Sequence, residues 1–246
     1  MMARRETGAP FCDGGGPRVR ANFPSLAFEG ACMEQSKDVA GDVVRPEDHA
    51  ADTNSGKWNT WYAGLKADET GGKYGDAVTY LMAAAFLAGC EEIEDWGCGR
   101  GGFRRYCPGR YVGVDGSKTP YASTIAELGV YRSSPDGILL RHVLEHNYNW
   151  PKILEAAVQS FRKRLCVVLF TPFADTTREL RHNRDAGVDA PDLALSAAEI
   201  EAHFKGLEWK LYPDIRSKSQ YGVEHVYCVW RSEPKGAWAR MKALFG

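Results

Sequence analysis

Short apolar runs alternate with longer stretches of helical spacing through the middle of the chain, and that alternation predicts its elements. Strands are predicted at residues 93–96, 111–114, 123–128, 137–143 and 165–170, the third being the least apolar. Strong helix formers fill residues 76–87, and Gly89 follows where a helix C-cap sits. Between the fourth and fifth strands, Ile153, Leu154, Ala157, Val158 and Phe161 recur at helical spacing within residues 150–164. Ser196 with Glu199 three residues on forms a capping-box pattern, which opens a helix running to about Lys205 before Gly206. Two more β-type runs, 207–212 and 225–231, close the series. Strands alternating with helices imply an α/β fold whose parallel sheet is covered on both faces.

The flanks are different. Residues 1–56 are rich in Gly, Pro, Asp and Ala and hold only short apolar islands, so they are expected to form an irregular N-terminal extension. The pattern changes at Lys57, where Trp58, Trp61 and Tyr62 follow closely and are expected to pack on the main body or on a ligand. Residues 175–192 are charged with little periodicity and are expected to be a site loop or cap. Residues 57–231 thus form the expected domain, and 232–246 a tail with the pattern of a short basic amphipathic helix.

Composition narrows the classes. The 246 residues carry 31 Lys+Arg against 32 Asp+Glu, a balance that argues against a nucleic-acid partner. The longest apolar stretch, 77–90, includes Thr79 and Tyr80 and falls short of the ~20 residues of a membrane span. The charged N-terminus has no apolar segment behind it, so secretion is not expected. Seven cysteines at irregular spacings, without any C-x-x-C pair, suit reduced thiols and a cytoplasmic location. The sequence carries no signal for a particular oligomeric state.

The most informative segment runs from Glu94 to Gly102, between a strand and a short helix. Gly97, Gly99 and Gly101 allow a sharp turn and close approach to a ligand. Read as Gly97, Gly99 and Gly102, the same run satisfies the dinucleotide fingerprint G-x-G-x-x-G, so the glycines alone do not choose a cofactor. Asp95 bears on that choice: a carboxylate just before the glycines repels a pyrophosphate but suits an ammonium or sulfonium group. Asp115, followed by Gly116, ends the second strand twenty residues later, where a carboxylate accepts from both hydroxyls of an adenosine ribose.

Asp95, Gly97, Gly99 and Gly101 match D-x-G-x-G-x-G, and in this the chain resembles the class I S-adenosylmethionine-dependent methyltransferases over about residues 75–231. The resemblance implies a Rossmann-like, mostly parallel sheet with an antiparallel edge strand and helices on both faces. It also implies S-adenosylmethionine as cofactor, with Asp95 near its methionine part, Asp115 and Gly116 at the ribose, and Glu127 near the adenine amine. One departure stands out: only Lys118 to Ala122 separate the second and third strands, too few for the usual helix, which leaves the adenine side more open or differently covered.

The fourth strand runs into His142-Val-Leu-Glu145-His146, which resembles the post-strand segment of small-molecule and carbohydrate methyltransferases. That resemblance puts His142 on the cofactor and His146 or Glu145 toward the acceptor. It implies a small-molecule or sugar acceptor, with His146 as base for a hydroxyl. Arg178, Arg181, His182 and Arg184 are candidates for an acidic acceptor, or else a solvated charge run, and Trp58, Trp61, Tyr62 and Tyr74 for a cover over the cofactor. The same five residues spell the inverted zinc-peptidase motif H-x-x-E-H, which needs a helix where a strand is predicted, so no metal site is expected. An NAD-dependent dehydrogenase and a catalytically silent adenosyl-binding module remain the rival readings.

Overall fold

The structure, a computed structural model, describes residues 41–49, 51–64, 77–185 and 187–231. Tyr74, the predicted tail helix and residues 1–40 lie outside the described residues. In chain order the elements are β1 (Asp42–Val43), α1 (Asn59–Tyr62), α2 (Val78–Leu87), β2 (Glu92–Trp96), β3 (Arg110–Asp115), β4 (Thr124–Ile125) and β5 (Gly137–Arg141). They continue with α3 (Trp150–Ser160), β6 (Arg164–Leu169), β7 (Arg178–Asn183), β8 (Ala190–Ala194), α4 (Ala197–Ala202), β9 (Glu208–Arg216) and β10 (Val223–Trp230).

Seven strands form one sheet in the order β4-β3-β2-β5-β6-β10-β9. From β4 to β6 all pairings are parallel, and β10 runs antiparallel to both β6 and β9, so the sheet is mostly parallel with an antiparallel edge. Side chains alternate between its faces as the pleat requires. Ile138, Leu140, Leu165, Val167, Tyr227 and Val229 pack with α3 and α4 on one face, while Leu139, Cys166, Val168, Val226 and Cys228 pack with Tyr80, Ala83 and Leu87 of α2 on the other. Strands covered on both sides carry the near-continuous apolar runs that made them legible, and each fully buried Leu, Ile or Val contributes about 1.5–3 kcal/mol.

Chain order reverses between β2 and β5: β3 and β4 lie to one side of β2, and β5 and β6 to the other. Open α/β sheets leave a crevice at the carboxyl ends of the strands at such a point. The third predicted strand shrinks to the two residues of β4, and residues 118–122 carry no helix. The predicted helix at 150–164 ends at Ser160, because Arg164 already begins β6. Ser196 caps α4 as expected, its hydroxyl accepting from Glu199 N at 3.5 Å.

The stretch 175–192, expected to be a site loop or cap, carries strands that its sequence pattern did not predict. It folds into β7 and the start of β8, which with β1 make a second, antiparallel sheet in the order β1-β7-β8. The pattern hid these strands for two reasons. Charged and polar residues fill β7, which is only partly buried, and Pro191 and Asp192 interrupt β8, whose edge position tolerates a proline.

Candidate functional site

A cavity of about 540 Å³ lies at the switch point, lined by the glycine turn after β2, the end of β3, the residues that leave β5, and α1. Gly97, Gly99 and Gly101 have φ of 74°, 49° and 67°, a left-handed succession that folds the chain back from the strand end. A Cβ on Gly97 would lie 2.4 Å from Val143 Cγ2, so the turn presses directly on the chain leaving β5. Gly116 is required by contact, since a Cβ there would lie 2.4 Å from the main-chain oxygen of Asn54. Asp95, Gly97, Gly99, Asp115, His142 and His146 line the cavity, whereas Gly101 and Gly116 shape the turns behind its wall.

Asp115 is 5% exposed; its Oδ2 accepts from Gly99 N at 2.9 Å and its Oδ1 from Ser117 N at 2.8 Å. The Gly116 amide also bears on this carboxylate, and the three amides together leave acceptor capacity for a ligand hydroxyl among its four positions. Burial raises the Asp115 pKa to about 6 against the lowering effect of these amides. Asp95 is 4% exposed and takes the Tyr111 hydroxyl on Oδ2 at 3.0 Å. Burial raises its pKa to about 7, with the Tyr111 bond and Arg141 lowering it and the Asp115 charge raising it. Two acids in one buried site, both more easily protonated than usual, have their charge favoured by a cation.

Glu127 does not line the cavity. Its Oε2 takes the main-chain N–H and hydroxyl of Ser55 at 3.1 and 3.0 Å, and its Oε1 takes Gly129 N and Asn149 Nδ2, each at 3.3 Å. Leu128 and Asn54 line the wall instead, Asn54 Oδ1 accepting from Leu128 N at 2.8 Å. Sequence reasoning missed Asn54, which lies within the expected irregular extension and enters the site only because residues 54–59 are strapped to the β3 exit. Gly56 N donates to Gly116 O at 2.8 Å, Trp58 N to Ser117 Oγ at 3.0 Å, and Lys118 N to Asn59 Oδ1 at 2.7 Å.

These straps seat α1 over the glycine turn. Trp58, Trp61 and Tyr62 all line the cavity, with Trp58 and Tyr62 stacked at 6.2 Å and the Arg100 guanidinium 5.5 Å from the Trp61 ring centroid. Trp58 also meets the His146 ring edge-on at 5.2 Å.

Beyond β5, Arg141 and His142 meet Glu224, a fully buried acid on β10: Arg141 Nη2 and His142 Nε2 both lie 2.6 Å from its Oε1. His142 has a φ of 56°, rare for a residue with a Cβ, and its side chain turns to Glu224. Burial, Arg141 and His146 hold its pKa well below the usual histidine value, so the ring is neutral and donates to Glu224. Residues Leu144–His146 form a 3-10 turn, and His146 Nδ1 faces Asp192. The two rings thus have separate acid partners and no shared helical face, in contrast to the peptidase reading of H-x-x-E-H.

His146 Nδ1 lies 3.0 Å from Pro191 O and 3.2 Å from Asp192 Oδ1, and its ring stands 5.2 Å from Phe170. Burial opposes its charge, but Asp192, Glu145 and the Pro191 carbonyl more than offset this and raise its pKa. Glu145, the alternative acceptor-facing residue, is fully buried behind the wall and does not line the cavity. Its Oε1 accepts from Phe170 N at 2.6 Å, Oε2 has no hydrogen-bond partner among the described residues, and burial raises its pKa to about 7. Arg178, Arg181, His182 and Arg184 also miss the cavity; from the same hairpin Asn183, Asp185, Val188 and Asp192 line it.

No family model and no curated protein matches the chain in sequence. Solved structures do match. The 1,6-didemethyltoxoflavin-N1-methyltransferase of Burkholderia thailandensis, with bound 1,6-didemethyltoxoflavin and S-adenosylhomocysteine, superposes over 80% of this chain and 94% of its own at 16% identity and a TM-score of 0.52. The N-methyltransferase NodS of Bradyrhizobium japonicum is 13% identical over 63% of this chain and 94% of its own, with a TM-score of 0.45. The magnesium protoporphyrin IX methyltransferase of Synechocystis, with bound S-adenosylmethionine, is 13% identical over 63% and 76%, with a TM-score of 0.43. The first superposition and the strand order give this chain the Rossmann-like fold of class I methyltransferases.

Proposed function

We propose that this chain binds S-adenosylmethionine and transfers its methyl group to a small-molecule or sugar hydroxyl. The observation that carries this reading is the convergence of Asp95, Asp115 and the left-handed glycine turn on one cavity at the switch point of the sheet. The donor set suits the cofactor: Asp115 keeps acceptor capacity for the ribose, and Asp95 offers a buried carboxylate to the cationic methionine end. A Cβ on Gly97 would strike Val143 Cγ2 at 2.4 Å and one on Gly99 the Tyr62 hydroxyl at 2.8 Å, so glycine lets the turn pack this closely at the cavity wall. His142 joins them at the wall, and Gly101 and Gly116 hold the two turns.

When bound, S-adenosylmethionine supplies a methyl group on a sulfonium, an electrophile that needs no activation by the protein. The chain's own residues then position, shield and manage a proton. Trp58, Trp61 and Tyr62 exclude water over the glycine turn. Orientation of the acceptor in line with the methyl supplies much of the rate. A hydroxyl acceptor also needs a base, and His146 leaves Nε2 without a protein partner among the described residues while its Nδ1 is held. This favours a hydroxyl over an amine, although the toxoflavin-precursor enzyme of similar fold is an N-methyltransferase by name.

The Gly102–Arg105 3-10 helix after the turn is too short to offer a pyrophosphate the N-terminal dipole of a full helix. Among the described residues, no helix is long and apolar enough to cross a membrane, and Cys90, Cys98, Cys107, Cys166 and Cys228 are free thiols, which suit a cytoplasmic setting. Calorimetric titration of the full chain with S-adenosylmethionine, S-adenosylhomocysteine and NAD in one buffer tests the reading. Micromolar binding of the adenosyl ligands without NAD is expected. Binding of NAD alone would replace methyl transfer with a dehydrogenase, and binding without turnover on any hydroxyl acceptor would leave an adenosyl-binding module.

A further inference from the structure

Asp192 lies in β8, in the charged stretch that the sequence suggested as a site loop or cap, and it is 1% exposed. A buried carboxylate is costly unless donors surround it. Asp192 has them. Oδ1 takes Asn183 Nδ2 at 2.9 Å and faces His146 Nδ1 at 3.2 Å; Oδ2 takes the Tyr221 hydroxyl at 3.0 Å and Gln220 Nε2 at 3.2 Å. These donors come from the chain after β5, from β7 and from the connection between β9 and β10, so one carboxylate joins three separate parts of the cavity wall.

From this geometry we infer that Asp192 is a positioning residue: it fixes His146 as the Nδ1–H tautomer, so that Nε2 faces the acceptor as a proton acceptor. The inference rests on the methyl-transfer reading above. A neutral imidazole has one N–H and one bare nitrogen, and the partner of one decides the state of the other. Here both groups at Nδ1, Pro191 O and Asp192 Oδ1, are acceptors, which places the proton on Nδ1. Nε2 is then the bare nitrogen.

The balance of the step is simple. The acceptor hydroxyl gives its proton to Nε2 as its oxygen bonds the methyl carbon; the carbon–sulfur bond breaks, and its electron pair stays on sulfur. The imidazolium that results faces Asp192 and later releases its proton to solvent. The other charged or titratable groups around the ring are Glu145 beneath it, His142 one turn back, and Lys57, whose Nζ reaches the His146 main-chain oxygen at 3.2 Å. Of these, Asp192 is the one whose charge faces a ring nitrogen, its Oδ1 3.2 Å from Nδ1 beside the Pro191 carbonyl at 3.0 Å.

The test reads the ring directly and needs no acceptor. The full chain, labelled with nitrogen-15 histidine, is followed by long-range proton–nitrogen correlation across pH, with His146 assigned by loss of its signals in His146→Gln. In the native chain the neutral ring should be the Nδ1–H tautomer, with a pKa above that of an ordinary histidine. In Asp192→Asn, which keeps an oxygen for Nδ1, the pKa should fall by about one unit or more, the usual effect of removing a close opposite charge. An Nε2–H tautomer in the native chain, or an unchanged pKa in the variant, would overturn the inference. The Nε2–H outcome in the native chain overturns the inference even if the variant does not fold, and Asp192→Glu, which keeps the charge, should hold the raised pKa. Failure of S-adenosylmethionine to bind in calorimetry overturns the methyl-transfer reading and this inference together, whereas the wrong tautomer with intact binding overturns this inference alone.

Discussion

Gly99 N donates to Asp115 Oδ2 at 2.9 Å, so the acid that ends β3 closes the glycine turn that leaves β2. Shape of the turn and charge of the site therefore depend on one side chain. Asp115→Ala removes the acceptor for Gly99 and Ser117 as well as the proposed ribose contact. Its expected effect is a loss of about 1–3 kcal/mol in S-adenosylmethionine affinity, the cost of leaving buried polar partners unmatched. Calorimetry that finds native affinity in a folded Asp115→Ala chain would remove Asp115 from the site.

Gly97→Ala should damage the fold before it touches chemistry. The new Cβ meets Val143 Cγ2 at 2.4 Å, and a φ of 74° is itself unfavourable for alanine. A destabilisation of about 2–4 kcal/mol is expected from the two effects. Adding Val143→Ala relieves the clash but not the φ, so the double variant should recover part of the loss. Thermal melts of the two single variants and the double variant give the coupling; strict additivity would mean that the turn and the β5 exit do not press on one another.

How much of this was legible in the sequence follows from where each residue gets its meaning. β5 and β6 were readable because two covered faces demand near-continuous apolar runs, and the glycine turn because three left-handed residues demand glycine. Glu127 shows the limit: its position beside β4 fits an adenine contact, but Ser55, more than seventy residues away, holds its carboxylate. Asp192 shows the converse. A lone acid beside a proline has no periodic signal, and its importance arises only when β8 pairs with β7 and brings it against His146. Asn54 was hidden similarly, by a composition that describes residues 1–56 as a whole but not the short part that packs on β3.

Glu145 should make the native chain lose stability as pH rises. Burial lifts its pKa from an ordinary 4.5 to about 7, so the folded chain binds a proton more tightly there than the unfolded chain does. The sign follows: the penalty is absent below about pH 4.5, grows as pH rises to about 7, and is complete above it. Glu145→Gln keeps an oxygen for Phe170 N and removes the charge, so its advantage over the native chain should grow from none near pH 4.5 to at most about 3 kcal/mol at pH 8. Melting both chains at pH 5 and pH 8 checks this. An equal difference at both values would show that Glu145 does not titrate in the folded state.

Cofactor binding should release protons. In the free protein burial raises the pKa of Asp95 to about 7 and that of Asp115 to about 6, so near pH 6.5 the pair carries about one proton. A cation placed beside Asp95, with ribose hydroxyls donating to Asp115, favours the ionised form of both. Binding therefore expels the proton, and by linkage affinity rises with pH up to about 7 and flattens above it. Titrations at pH 6.5 in two buffers of different ionisation enthalpy should give apparent enthalpies that differ by about one proton's worth of that difference, and titrations at pH 8 should agree. Agreement at both values would mean that the two acids are already ionised in the free site, and that the cofactor's charge is not what these carboxylates await.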